Sequence, residues 1–297
     1  MSTPPERLRV LLAGPDLVHL PGVYDAVTAR LAARAGARGV CLSGAVASAV
    51  ALGVPDLGFV NGSDIAARAT QVTGVLDGLP VLADADTGYG NALQARRTAQ
   101  TYAAAGLAGL HLEDQVAPKR CGHLAGKAVV GVAEAAGRVR AAVEAGSGLV
   151  IVARTDALSV DGVDAVVERC LAFAAAGADA LFVEGAGADV IARVGAAVRA
   201  AHGREVPFVH NRSEAGGPVE QGPDDDELRA LGVRLVIHPV SGLLAAARAA
   251  AASYDAIVAS GHAGGTPRMD WTELTDLLDL PGQLRLEHRY ADPVDAR

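Results

Sequence analysis

Eight short apolar runs alternate along this chain with Ala-rich stretches of helical character, and that alternation restricts the fold more than any other feature. The candidate strands are 17–23, 39–43, 80–84, 109–113, 149–154, 180–184, 207–211 and 234–239. Helical stretches fall between and after them at 25–35, 63–76, 92–105, 132–145, 163–176, 188–201 and 224–231. Three of these helices end in one short phrase, with Gly36, Gly106 and Gly177 standing where a left-handed cap releases the chain into the next strand. Strands each followed by a helix predict an α/β fold, a (β/α)8 TIM barrel. A doubly wound open sheet is the runner-up, but no GxGxxG phrase follows the first strand. Aromatic residues make up only 3% of the chain, and the wealth of Ala, Val, Leu and Gly suits parallel strands buried on both faces.

No Pro-, Gly- or Ser-rich linker divides the middle of the chain. A further Ala-rich helix is predicted over 243–258, the glycine-rich stretch 261–267 reads as a flexible joint, and a last helical piece spans 271–280. Residues 1–260 are therefore expected to form the catalytic barrel. Residues 261–297 are expected to be a linker and a helix suited to packing on a neighbouring subunit. The formal charge of −8 without a basic cluster argues against nucleic acid. Apolar runs are interrupted by Gly, Arg or Asp before membrane-spanning length, which argues against a membrane. The widely spaced Cys41, Cys121 and Cys170 form no CxxC pair, which fits a reducing cytoplasm.

Charged residues gather at the C-terminal ends of the predicted strands and are nearly absent from the N-terminal ends, the asymmetry expected of a barrel enzyme. Strand two ends in Ser43-Gly44, strand three in Asp84-Ala85-Asp86, strand four in Glu113-Asp114. Strand five ends in Arg154-Thr155-Asp156, strand six in Glu184, strand seven in His210-Asn211-Arg212 and strand eight in His238-Pro239. Asp84 and Asp86 are two apart and would share a strand face. With Glu113 they make an oxygen-only cluster that favours Mg²⁺ or Mn²⁺ over Zn²⁺. Taken without Glu113, an Asp-x-Asp turn capping helix 92–105 is an equal alternative. Arg154, ending an apolar strand, suits a carboxylate clamp or a structural pair with Asp156 or Glu184. His238 is read as a core histidine as readily as a ligand, and Asp224 to Glu227 as a solvated helix start.

After strand four, a glycine-containing loop carries Lys119, Arg120, Cys121, Gly122 and His123 toward solvent. Flanking cations are expected to lower the thiol pKa of Cys121 and make it a proton donor or nucleophile. Cys41 and Cys170, inside apolar patterns, read as small buried hydrophobes.

Several phrases together resemble the isocitrate lyase/phosphoenolpyruvate mutase superfamily. They are Leu42-Ser43-Gly44, Gly53 to Gly58, Asp84-Ala85-Asp86-Thr87-Gly88-Tyr89-Gly90, the stretch from His111 to His123, Ala153 to Ala157, and Pro239-Val240-Ser241. The resemblance covers about residues 20–260. It implies a barrel with a swapped terminal helix, a homotetramer built as a dimer of dimers, Mg²⁺, and a small-molecule α-oxycarboxylate substrate. Residue by residue, it implies that Ser43, Gly44 and Asp56 hold the oxo-acid end and that Asp84, Asp86 and Glu113 surround Mg²⁺. It further implies that Arg154 and Asn211 bind carboxylates, that Glu184 and His123 support the site, and that Cys121 is the general acid on a gating loop. Lys119 joins the catalytic set and Gly122 the substrate contacts.

The Lys-Arg-Cys-Gly-His phrase resembles the carbon–carbon lyase branch, although carboxyphosphonoenolpyruvate mutase retains it too. The implied activity is cleavage of a 2-hydroxy di- or tricarboxylate of the 2-methylisocitrate or alkylmalate type. A phosphonomutase and an oxaloacetate hydrolase are the alternatives. Three departures bear on substrate. Cys41 stands where many 2-methylisocitrate lyases carry a tyrosine, the phrase Asn211 to Pro218 lacks a Thr-Pro ending, and Ser241 to Leu244 offers no arginine for an extra carboxylate. The last two shift weight toward a smaller dicarboxylate.

Overall fold

The structure, a computed structural model, describes residues 2–216 and 222–291. Gly217 and Pro218, the end of the phrase from Asn211, lie outside the described residues.

The eight expected strands all form: β1 (Val18–Pro21), β2 (Val40–Leu42), β3 (Val81–Asp84), β4 (Gly109–Glu113), β5 (Val150–Thr155), β6 (Ala180–Val183), β7 (Phe208–Asn211) and β8 (Val233–His238). They pair in parallel in the order β1-β8-β7-β6-β5-β4-β3-β2, and a parallel bridge between Gly22 and Cys41 joins the two ends of that order. The chain is a (β/α)8 barrel. Gly36, Gly106 and Gly177 sit at φ of 85°, 81° and 93°, the left-handed turn their phrases predict.

Helix α1 (Pro4–Ala13) precedes the barrel and was not expected. A capping box links Thr3 and Glu6, Pro stands at the helix start, and Leu8, Leu11 and Leu12 line one face. Those leucines join the inward side chains Leu20, Leu82, Val150, Phe182 and Leu235 in one buried cluster, the interior of the barrel. A larger cluster lies between the outward strand faces and the helices. The helices are α2 (Ala26–Arg34), α3 (Gly44–Leu52), α4 (Gly62–Thr73), α5 (Ala92–Ala104), α6 (Val132–Val143), α7 (Gly162–Ala175), α8 (Ala188–His202) and α9 (Asp225–Ala230). Of these, α3 had not been anticipated, because Gly-Ala-Val-Ala-Ser-Ala-Val-Ala-Leu has no polar face to give a helical period.

Compactness divides the chain into Met1–Leu243 and Leu244–Arg297. Across that division runs α10 (Ser241–Ser260), followed by α11 (Trp271–Leu277) and α12 (Leu280–Ala291). By length and composition alone α10 is apolar enough to cross a membrane, although Arg248 and Asp255 interrupt it. Tyr254, Val258, Trp271 and Tyr290 are all more than two-thirds exposed.

Strand register sets the site. Asp84 lies level with His111, Glu113 with Arg154, and Thr155 with Val183, so charged ends of neighbouring strands meet at one mouth.

Candidate active site

Strand β3 ends at Asp84, and the chain turns at once. Asp86 therefore does not share a strand face with Asp84, as its spacing suggested; it sits in the left-handed region at φ 43°. Such a state costs about 1–3 kcal/mol. Two hydrogen bonds hold it: Asp86 N donates to Asp84 Oδ1 at 3.0 Å, and Glu113 N donates to the Asp86 carbonyl at 2.8 Å. The two carboxylates still converge, since a Cβ on Gly44 would stand 2.9 Å from Asp84 Oδ2 and 3.2 Å from Asp86 Oδ1. Only glycine allows α3 to begin there, and Gly44 N donates to Asp84 Oδ2 at 3.1 Å. The Asp-x-Asp turn does not cap the following helix; Asn91 caps α5. Ser43 precedes α3 without a side-chain capping bond, and it lines the cavity at this helix N-terminus.

Lys119 is not carried into solvent. Its Nζ donates to Asp56 Oδ1 and Oδ2 at 2.6 and 2.7 Å and lies 3.0 Å from Asp86 Oδ1, with the residue 5% exposed. Burial opposes its charge, but Asp84, Asp86, Glu113 and Asp56 outweigh burial and hold the amine above its ordinary pKa. At Asp84 burial is again opposed, by His111, Lys119 and Arg154, and the carboxyl ends below the usual carboxylate range. Burial first and the Asp84 charge second push Asp86 up to about 7. Burial also pushes Glu113 well above its ordinary value despite the attraction of Arg154. His111, packed edge-on against Phe182 and 3.5 Å from Asp84 Oδ1, has its pKa lowered chiefly by burial.

Arg154 pairs bidentately with Asp156, Nε to Oδ2 at 2.9 Å and Nη2 to Oδ1 at 3.0 Å. It also lies 3.3 Å from Glu113 and 3.4 Å from Glu184, with Phe182 beneath its guanidinium. Both readings of Arg154 thus have a counterpart: two nitrogens are structural, and Nη1 makes no hydrogen bond among the described residues. Asn211 Nδ2 donates to both Glu184 oxygens at 3.3 and 3.4 Å.

The other member of the carboxylate pair, Asp114, faces away from this chemistry. It accepts from Thr155 Oγ1 at 2.6 Å, Asp156 N at 3.0 Å and Arg169 Nη1 at 3.1 Å, tying β4 to β5 and α7.

The loop after β4 is pinned at its neck. Gln115 bridges Val129, and the Gln115 amide donates to and accepts from the Arg120 backbone, both at 2.9 Å. Cys121 N donates to the Asp56 carbonyl at 3.2 Å. Burial pushes the Cys121 thiol pKa up, contrary to the lowering its neighbours suggested. The reason is plain: Lys119 is committed to Asp56 and Asp86, and the Arg120 side chain is exposed. Gly122 lies on Arg154 and Glu184, since a Cβ there would stand 2.5 Å from Arg154 Nη2. Under the loop is a cavity of about 60 Å³ lined by Ser43, Asp84, Cys121, His123, Arg154 and Asn211, with Asp56, Lys119, Gly122 and Glu184 also on its wall. Asp86 and Glu113 lie behind that wall, in contact with Lys119 and Arg154 respectively.

Cys41 is buried, donates to the Leu20 carbonyl and has its thiol pushed up to about 12 by burial. Cys170 is likewise buried. Arg212 turns away from the cavity, toward Asp225 Oδ1 at 2.8 Å and the Pro223 carbonyl. Asp225 also meets His19, whose other ring nitrogen lies 2.9 Å from His238 Nε2, so His238 belongs to a polar group flanking the site. Asp224 caps α9 through Glu227 N, as read, but Asp225 takes part in that group.

The chain is thus a parallel barrel with an acidic strand-end cluster and a glycine-bearing loop over an arginine, the architecture of a barrel enzyme. The family profile described as phosphoenolpyruvate phosphomutase matches residues 8–258, and the chain belongs to that family, within the phosphoenolpyruvate mutase/isocitrate lyase superfamily. It is 41% identical over 244 residues to 2-methylisocitrate lyase of Bacillus subtilis (strain 168), covering 82% of this chain and 78% of that protein. It is 34% identical over 296 residues to 2,3-dimethylmalate lyase of Eubacterium barkeri, covering 96% and 97%. Among solved structures, oxaloacetate acetylhydrolase in complex with 3,3-difluorooxalacetate superposes with a TM-score of 0.88 at 32% identity, covering 97% of each chain.

Proposed function

We propose that this chain is a Mg²⁺-assisted carbon–carbon lyase that cleaves a 2-hydroxy dicarboxylate of the alkylmalate type. The observation that carries the reading is the placement of Cys121, a thiol kept protonated by burial, on a loop lying over Arg154 and Glu184. Retro-aldol cleavage breaks the C2–C3 bond. The 2-hydroxyl loses its proton and becomes the carbonyl of the oxo acid, while the C3 fragment leaves as an aci-carboxylate that needs one proton. On this reading Cys121 donates it. A phosphonomutase isomerises its substrate and has no net demand for that proton.

The buried groups fit a divalent cation. Six carboxylates (Asp56, Asp84, Asp86, Glu113, Asp156, Glu184) face three cations (Lys119, Lys127, Arg154), and Glu113 Oε1 is buried without a hydrogen bond. Among the described residues no three His, Cys, Asp or Glu side chains form a complete cage. That agrees with Mg²⁺, which binds one or two carboxylates and retains water. Asp84, Asp86 and Glu113 would hold it, directly or through water, and members of the superfamily use Mg²⁺. When bound, the ion supplies Lewis-acid stabilisation of the oxo-acid oxygens. Ser43 and Gly44 orient that oxo-acid end, and Asp56 fixes Lys119 and the Cys121 backbone. Arg154 Nη1 and Asn211 receive the second carboxylate, with Glu184 and His123 bordering them.

Leu42, Ala45, Ala215, Ile237, Pro239 and Val240 supply apolar wall to the cavity, beside Cys41, His111 and Ser213. Lys119 is neutralised and Arg212 is turned away, which supports an alkyl substituent over a third carboxylate. Cys41, at a pKa of about 12, is not suited to be the base.

Residues 1–260 would form the catalytic barrel and 261–297 the segment that packs on a neighbouring subunit of a cytoplasmic homotetramer. The exposed Trp271, Leu284, Leu286 and Tyr290 support that role.

The test is a panel of 2-hydroxy and 2-oxo acids with Mg²⁺, read by NADH-coupled detection of the oxo acid. Dimethylmalate-type acids are expected to turn over faster than 2-methylisocitrate. Cys121→Ser should lower kcat by about 10²–10⁴-fold with substrate binding retained. Unchanged activity, or a ³¹P resonance of a new P–C bond from a phosphoenolpyruvate-type substrate, would refute the reading.

A further inference from the structure

We propose that Lys127 is a latch that couples closure of the loop to the Arg154 clamp, and so fixes where Cys121 presents its proton. Lys127 lies at the far end of the loop, just before the Gln115–Val129 neck. Its Nζ donates to the Gly122 carbonyl at 2.7 Å and to Asp156 Oδ1 at 3.0 Å. That Asp156 carboxylate is the one that grips Arg154, and its side chain is fully buried. A single ammonium thus ties the residue next to Cys121 to the group that orients the clamp.

The two bonds differ in kind. Asp156 is held by Arg154, so it offers Lys127 an acceptor that does not move with the loop. The Gly122 carbonyl is backbone and reaches Nζ only when Gly122 lies on Arg154 and Glu184. In the closed arrangement Gly122 completes the coordination of an ammonium with 6% of its side chain exposed. A donor left unmet in such surroundings is costly, which biases the loop toward the closed position. The neck does not supply this bias, because Gln115 grips Arg120, upstream of Cys121. Lys127 is thus a positioning residue.

The role of Cys121 rests on the lyase reading, so the test has an arm that does not need turnover. Trypsin cleavage after the exposed Arg120 reports loop opening. Lys127→Met keeps the stem and removes the ammonium. It is expected to speed that cleavage at least tenfold and to leave the rest of the barrel uncut. With the panel acid turned over fastest, kcat should fall at least tenfold while KM changes less than threefold. Exchange of the carboxylate product's α-hydrogen in D₂O should fall by the same factor as kcat. Lys127→Arg should recover most of both losses.

If Lys127→Met does not fold, Lys127→Gln, which removes the charge and keeps a polar end, is expected to give the same pattern. Unchanged loop cleavage overturns the proposal. So does a tenfold rise in KM at constant kcat, which would make Lys127 a support for Arg154 alone. If the wild type turns over no acid, the lyase reading fails, and the trypsin comparison still decides the latch.

Discussion

Removing the Asp114 carboxylate tests how the site is anchored. Asp114 is 1% exposed and serves three donors from three places: the Thr155 hydroxyl, the Asp156 backbone and the Arg169 guanidinium. In Asp114→Ala, Arg169 would retain only Asp161, 3.9 Å away and half-exposed. Its Nε already lacks a hydrogen bond. Breaking a buried ion pair from one side costs about 3–5 kcal/mol. Leaving the Asp156 N–H without an acceptor adds about 1–3 kcal/mol, not fully additively. The expected loss is therefore about 4–6 kcal/mol, a large part of the roughly 5–15 kcal/mol that holds a domain together.

Asp114→Asn keeps the shape and an acceptor oxygen, so it should lose about half as much. Urea unfolding followed by circular dichroism at fixed protein concentration gives both numbers, provided the slopes match the wild type. Because Asp156 orients Arg154, the folded fraction of Asp114→Ala should also show a raised KM. A loss under about 1 kcal/mol for Asp114→Ala would refute the assignment of Asp114 as the anchor of the β4 and β5 ends.

Two further outcomes are expected. Gly44→Ala places a methyl group 2.9 Å from Asp84 Oδ2, so it should cost about 1–3 kcal/mol by overpacking and weaken the apparent Mg²⁺ affinity in activity titrations. His210, whose pKa burial lowers to about 4, is neutral in the folded state at pH values where the unfolded chain is already protonated. Its contribution is complete above pH 6.5 and is lost as pH falls toward 4. The loss is up to about 3 kcal/mol, and His210→Gln should lack this component in stability measured against pH.

The strands were legible because a parallel barrel buries both faces of each strand, leaving unbroken apolar runs that end in charge. The phrases around Gly36, Gly106 and Gly177 were legible because only one backbone conformation suits them. Helix α1 carried only an end signal, Thr3 and Glu6 around a Pro start, ahead of a short mixed run of apolar and charged residues. The thiol of Cys121 shows what local reading misses. Its neighbours in sequence are basic, yet Lys119 is neutralised by Asp56, 63 residues upstream. Lys127 gave no signal at all, since Asp156 lies 29 residues further on. Asp156 appeared only as one possible partner for Arg154.

The charge balance of the mouth explains why barrel and chemistry come apart in this way. Strand register brings Glu113 level with Arg154 and Asp84 level with His111, whose pKa burial lowers. Within the sheet, then, the acids outnumber the bases. Two of the three cations paired with the cavity's carboxylates, Lys119 and Lys127, come instead from the loop after β4. Opening that loop would take Lys119 from Asp56 and Asp86 and would leave the carboxylates still less compensated. The loop is thus part of the electrostatic content of the site as well as its cover. In the closed arrangement one loop puts Cys121 on the cavity wall and sets the Lys119 ammonium against Asp56 and Asp86.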